Sequence, residues 1–145
     1  MIVNVSGTSI RRMIEWADKY SVGISIIDKH HKRLVGIIND AIVAKQHSDD
    51  PEKMMEVLCE MTANAQEHFK AEESYMLKFH YPKYQYHREE HQNFSHKAIA
   101  YRNKVMDGYR QIAKEVLKYL KKWLFNHIQI TDKKFVDCFK ENGLK

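Results

Sequence analysis

Met54, Leu58, Met61, Ala65, His68, Glu72, Met76 and Phe79 advance by three or four residues at every step. That spacing places them on one face of an α-helix. The helix must therefore bury an imidazole and a carboxylate in the same stripe as its methionines and leucine. Three other stretches carry the same signature. Ile27, His31, Leu34, Ile38 and Ile42 form one stripe. Tyr84, His87, His91, Phe94, Ala98, Tyr101 and Val105 form another, and Tyr109, Ile112, Val116, Leu120, Trp123, His127 and Ile130 the last.

The boundaries between them are readable. Ser25-Ile-Ile-Asp28 has the form of a capping box, so the first helix is expected over about 26–46. Asp50 suits an N-cap and Pro51 the first position of the second helix. That helix is expected to stop at Tyr81-Pro82, because a residue before proline is pushed out of the α region. The third is expected to end near Gly108. Four amphipathic helices joined by short turns predict an all-α, antiparallel up-down-up-down four-helix bundle over about 26–130. Residues 1–24 form an N-terminal arm anchored by Ile14, Trp16, Tyr20 and Val22, and 131–145 a short C-terminal segment. The whole chain, 1–145, is expected to be a single domain.

Composition narrows the function classes. With 43% hydrophobic and 30% charged residues the chain is a folded one. Its net charge of +5 is modest, and the one local lysine run, Lys118, Lys121 and Lys122, reads as a solvated helix face rather than a nucleic-acid surface. No apolar run approaches the ~18 residues of a membrane span, and the N-terminus lacks the pattern of a secretory signal. Cys59 and Cys138 belong to no paired motif, which predicts two buried thiols in a reducing compartment. A cytoplasmic monomer without nucleic-acid or membrane partners is the expectation.

The nine histidines are the informative excess. His68, Glu72, His87, His91 and His127 fall in phase with core residues from three helices. Burying them without partners would cost several kcal/mol, roughly, and a metal would remove that cost. The first helix adds an imidazole from His30-His31, which phase alone does not separate. Asp132 lies five residues beyond His127, a step that suits a ligand where the helix end bends back. Five imidazoles and two carboxylates are too many for one tetrahedral zinc and fit two metals sharing bridging carboxylates. The imidazole-rich, thiolate-free set favours iron. His87-Arg-Glu-Glu-His91 also matches the inverted zinc-protease pattern, but Glu90 lies off the core stripe and no peptide cleft is encoded.

These residues resemble the hemerythrin family in its bacterial form. Trp16, Tyr20 and Gly23-Ile24 carry the resemblance in the arm, followed by IDKHHKRL at 27–34, HFKAEESYM at 68–76 and YP at 81–82. HREEH at 87–91 and WLFNHIQITD at 123–132 complete it. The resemblance implies two non-haem iron ions bridged by an oxo or hydroxo group, with dioxygen bound reversibly for carriage, storage or delivery. It selects His31 over His30, since the family's first ligand stands three residues after Ile-Asp and three before Leu. It places His87, His91 and His127 on one iron, His31 and His68 on the other, and Glu72 and Asp132 between them. Leu34, Phe69, Trp123, Leu124 and Phe125, each within a helical turn of an implied ligand, are expected to wall the oxygen pocket. His30 stands where the family commonly has Gln, and His47, His80 and His96 are expected at the surface.

Two other functions compete with oxygen binding. The first is an oxygen or redox sensor built on the same site. The second is a diiron enzyme with peroxidase or NO-reducing activity. The absence of any Glu-x-x-His pair argues against a ferritin-like oxidase, so a non-enzymatic protein is expected.

Overall fold

A computed structural model describes residues 13–47, 51–108 and 112–145. The expectations for residues 1–12, the Asp50 cap, the His47 side chain and Tyr109 lie outside the described residues. Among the described residues the chain is an all-α four-helix bundle, built from α1 (Ser25–His47), α2 (Pro51–Lys78), α3 (Tyr84–Met106) and α4 (Ile112–Asn126). Helix α1 packs on α2 and α4, α2 on α3, and α3 on α4, which closes the ring. A short helix α5 (Val136–Glu141) follows.

The stripes do what their spacing requires. Ile27, His31, Leu34, Ile38 and Ile42 of α1 are buried, as are Met54 through Met76 of the α2 series. In α3 the buried residues are His87, His91, Phe94, Ala98, Tyr101 and Val105. The apolar residues form two clusters. The larger contains Leu34, Ile38, Leu58, Met61, Phe69, Phe94, Leu120 and Leu124; the smaller contains Val22, Ile24, Ile27, Met76, Tyr81, Phe135 and Phe139. Every buried histidine and acid lies in sequence between members of the two. His31 sits between Ile27 and Leu34, His68 and Glu72 between Ala65 and Met76, and Asp132 between Ile128 and Phe135. The bundle is thus two apolar blocks separated by one polar layer.

The ends of the helices differ from expectation in instructive ways. Ser25 is the first residue of α1, and the capping box does not form. Asp28 reaches back instead, accepting hydrogen bonds from the Val22 N–H at 2.8 Å and from the Ser21 hydroxyl. Gly23, at φ +74°, makes the reversal between arm and helix. Helix α2 ends at Lys78, before the Tyr81-Pro82 pair. His80 takes the left-handed conformation at φ +57°. Its N–H bonds to the Leu77 carbonyl at 3.3 Å and that of Tyr81 to Met76 at 2.8 Å, a Schellman closure that stops the helix first. Helix α3 ends as expected, with Gly108 at φ +87°.

The largest departure follows α4. Residues His127–Thr131 form a π-helical turn, and Asp132–Lys134 a 3-10 turn. The Asp132 N–H donates to the His127 carbonyl, five residues back. This widened turn shifts the helix phase by about one residue. Ile130, expected in the stripe, is 56% exposed, while Ile128 is buried. Other differences are at the surface. Cys59 is exposed and Cys138 half-buried, so the two thiols are not the buried pair expected. Cys59 lies one position past Leu58, off the apolar stripe. His80 and His96 are exposed, as expected.

The arm is held by a side-chain clamp. Asn39 accepts from the Ile14 N–H at 2.8 Å and donates to the Ile14 carbonyl at 2.9 Å. Trp16 and Tyr20 then lean on each other, and Tyr20 meets Phe125 of α4, with ring centroids 5.7 and 5.6 Å apart respectively.

His80 carries a side chain at a position that glycine occupies without strain. His80→Gly is expected to raise stability by about 0.5–1 kcal/mol, read as a higher midpoint in denaturant unfolding. A lower midpoint would mean that the His80 side chain itself supports the turn.

Candidate metal centre

Helices α1, α2 and α3 and the turns that follow α4 deliver polar residues to the same layer. One turn of α2 aligns His68 with Glu72, and one turn of α3 aligns His87 with His91. Helix α1 supplies His31. The π turn brings Asp132 under His127 after a five-residue step, which an α-helix would have rotated away from it. All seven are buried: Glu72, His31 and Asp132 are 0% exposed, and the other four no more than 3%.

Their ligating atoms converge in two overlapping groups. His31, His68, Glu72, His127 and Asp132 form one, and Glu72, His87, His91 and Asp132 the other, with the atoms of each group within 4.8 Å of one another. The two carboxylates belong to both. Asp132 Oδ2 lies 2.7 Å from His31 Nε2 and 2.9 Å from His127 Nε2, while Oδ1 lies 3.4 Å from His87 Nε2. Glu72 Oε2 lies 3.1 Å from His68 Nε2, and Oε1 lies 3.2 Å from His91 Nε2. Asp132 thus faces one group with each oxygen, and Glu72 does the same except that Oε1 also lies 3.7 Å from His127 Nε2.

One feature differs from the implied arrangement. His127 falls in the group of His31 and His68 rather than with His87 and His91. Its Nε2 lies 2.9 Å from His68 Nε2 and 2.9 Å from Asp132 Oδ2, on that side of the layer.

Six buried side-chain atoms in this layer have no hydrogen-bond partner: His31 Nδ1, both Glu72 oxygens, His87 Nε2, His91 Nε2 and Asp132 Oδ1. Of the short carboxylate–imidazole distances, that from His31 Nε2 to Asp132 Oδ2 is a hydrogen bond, while both Glu72 oxygens and Asp132 Oδ1 have none. Buried polar atoms are rarely left this way, and five of these six point at one another across the layer. They are lone-pair donors suited to divalent metal ions, so the residues fit a two-metal site of nitrogen and oxygen ligands.

The electrostatics agree. Burial lowers the pKa of His68 to about 3 and of His91 to about 2, and lowers that of His127 as well. These imidazoles are neutral at pH 7, the form that binds metal. Burial, with the Asp132 charge beside it, pushes Glu72 well above the ordinary carboxylate range. Burial also pushes Asp132 upward, but His127 and hydrogen bonds from the layer hold it well below its ordinary value.

Two partners of the ligands were not legible in the sequence. His91 Nδ1 lies 2.8 Å from Glu73 Oε2, and His68 Nδ1 lies 3.1 Å from His30 Nδ1. Glu73 is one position past Glu72 on α2, a turn of about 100° that aims it between α2 and α3. The Glu72-Glu73 doublet was the available signal. A cavity of about 650 Å³ between these helices reaches His91 and Glu73 and is also lined by Lys70, Arg88 and Ser95.

The residues expected around an oxygen pocket divide. Leu34 and Leu124 are fully buried. The Phe69 ring stacks on His91 at 3.9 Å, and Trp123 stacks on His127 at 4.8 Å. Phe125 is half-buried and meets Tyr20 of the arm instead, because it lies two positions from the His127 stripe.

Known proteins resemble the chain over most of its length. The profile of the hemerythrin HHE cation binding domain matches residues 22–139. A bacteriohemerythrin of Stenotrophomonas maltophilia is 32% identical over 128 residues, 88% of this chain and 82% of its own length. One of Clostridium acetobutylicum is 30% identical over 129 residues, covering 86% of this chain and all of its own. A crystal structure of wild-type hemerythrin superposes with a TM-score of 0.79 at 21% identity, over 88% of this chain and 98% of that one, and so shares the fold.

Acid tests the neutral state of the imidazoles. In the metal-free chain the folded pKa values of His68 and His91 lie below the unfolded value of 6.5. Their stabilising contribution is complete above pH 6.5 and is lost as pH falls toward the folded values. At pH 5 each has cost about 2 kcal/mol. The raised pKa of Glu72 works in the opposite direction, but the imidazoles outnumber it. Denaturant unfolding of the metal-free chain should show a lower midpoint at pH 5 than at pH 7.5. An equal or higher midpoint would mean that the imidazoles are already charged.

Proposed function

We propose, from the premise that the chain belongs to the hemerythrin family, that its buried layer holds two non-haem iron ions and binds dioxygen reversibly. The observation that carries this reading is the pair of ligand groups with Glu72 and Asp132 common to both. The two carboxylates would bridge the irons, with an oxo or hydroxo group beside them. His31 and His68 would hold one iron, leaving a position open for dioxygen, and His87 and His91 the other, which His127, grouped with the first pair in the metal-free chain, would complete by turning its ring. When bound, the two ferrous ions supply the electrons that reversible dioxygen binding requires.

The chain's own residues provide the rest. Neutral imidazoles leave the site with only carboxylate charge, and that charge balances the metals. Two carboxylates carry few anionic ligands for high-valent iron, which favours binding over oxidation chemistry. Leu34, Phe69, Trp123 and Leu124 would exclude water from the open position, so that bound dioxygen leaves as it came. Phe69 and Trp123 also hold the His91 and His127 rings flat against their faces. Phe125 would act one layer out, fastening the arm over α4.

The reading takes the whole chain as one domain that works as a cytoplasmic monomer, with dioxygen as its ligand. Among the described residues no helix is long and apolar enough to cross a membrane. The free, exposed Cys59 suits a reducing compartment.

The experiment is an optical titration. The ferrous protein is expected to gain a visible absorption band in air and to lose it on degassing, over repeated cycles. A single irreversible oxidation would instead favour the sensor reading. Leu34→Ala and Trp123→Ala are expected to retain two irons per chain but to autoxidise at least several-fold faster, followed as decay of the same band. Unchanged decay in both variants would reduce these residues to packing.

A further inference from the structure

We propose that His30 positions the metal-binding ring of His68 by accepting its Nδ1 proton, and that this neutral partner leaves the iron on the His31–His68 side the less electron-rich of the two. The inference rests on the two-iron reading above.

The geometry is specific. His30 is 9% exposed, and its Nδ1 lies 3.1 Å from His68 Nδ1. The rings stand nearly perpendicular, at 86°, with centroids 5.2 Å apart. The other nitrogen of His68 faces the polar layer: Nε2 is 3.1 Å from Glu72 Oε2 and 2.9 Å from His127 Nε2. A neutral imidazole has one donor nitrogen and one acceptor nitrogen. A His68 that offers its Nε2 lone pair to a metal must carry its proton on Nδ1. That N–H then donates to His30 Nδ1, and His30 keeps its own proton on Nε2. His30 and His31 are neighbours on α1, about 100° apart around the helix. One therefore enters the layer while the other stands behind the ligand of the next helix. The adjacent pair, ambiguous by phase, has two different tasks.

The contrast lies on the other side of the site. His91 Nδ1 has a carboxylate behind it, Glu73 Oε2 at 2.8 Å. Partners of this kind fix the orientation of a ligand imidazole and raise its basicity. A charged acceptor makes a bond about twice as strong as a neutral one. Glu73 therefore pushes more electron density through His91 than His30 pushes through His68. The iron held by His31 and His68, which keeps the open position, is the easier of the two to hold ferrous.

Zinc, which is diamagnetic and takes nitrogen and oxygen ligands, is the probe for positioning. In the zinc-loaded, ¹⁵N-labelled protein, a scalar coupling across the hydrogen bond is expected between His68 Nδ1 and His30 Nδ1. Its absence while His68 is zinc-bound would overturn the proposal without any substitution. In zinc titrations, His30→Phe keeps a ring but no acceptor, and is expected to weaken one of two sites about 10–100-fold. His30→Gln restores an acceptor and is expected to recover most of that loss. Native affinity in His30→Phe, or equal losses in both variants, would reduce His30 to packing. For the electronic claim, His30→Glu is expected to lower the reduction potential of the iron-loaded protein, and an unchanged or raised potential would overturn it. Fewer than two zinc ions bound by the unsubstituted chain would instead bring down the two-metal reading itself.

Discussion

Two carboxylates, Glu72 and Asp132, lie fully buried among five imidazoles, and the rest of the structure is arranged around the cost of keeping them there. A buried charge without compensation is penalised by several kcal/mol, roughly. The chain confines that penalty to one layer. On either side of it, leucines, isoleucines, methionines and phenylalanines close into separate apolar clusters. Helices α1, α2 and α3 each contribute to the layer and the turns that end α4 supply the rest, so ligand placement and bundle register are the same problem. A slip of α3 by a single position would replace each imidazole with a charged or polar neighbour from the helix flank and leave its partners unmatched.

The surroundings of the layer are also graded. Flat rings lie on two of the imidazoles, Phe69 on His91 and Trp123 on His127. They fix ring orientation from the face, while Glu73 and His30 act at the ring edge. Beyond this, the arm is clamped to α1 through Asn39 and laid over α4 through Tyr20 and Phe125. The construction runs from fully buried at the carboxylates to polar and open at the α2–α3 groove.

Much of this was legible in the sequence, for a definite reason. Polar residues in phase with an apolar stripe stand out, so His68, Glu72, His87, His91 and His127 could be found by spacing alone. These five converge in the structure with His31 and Asp132, which phase alone did not select. What was not legible depends on events that leave no period. The π turn at His127–Thr131 has no composition of its own, so the exposure of Ile130 could not be anticipated. The left-handed His80 ends α2 ahead of the proline that seemed to end it. The roles of Glu73 and His30 are set by contacts between helices, which a one-helix pattern does not contain. The choice between His30 and His31 came from resemblance, and only the packing of α1 on α2 gave the second histidine something to do.

Diffraction from crystals of the iron-loaded chain, collected on both sides of the iron absorption edge, tests the central claim most directly. Two anomalous peaks are expected inside the bundle, with the Glu72 and Asp132 carboxylates spanning both. A single peak, or peaks that share neither carboxylate, would contradict a two-iron centre built on this layer.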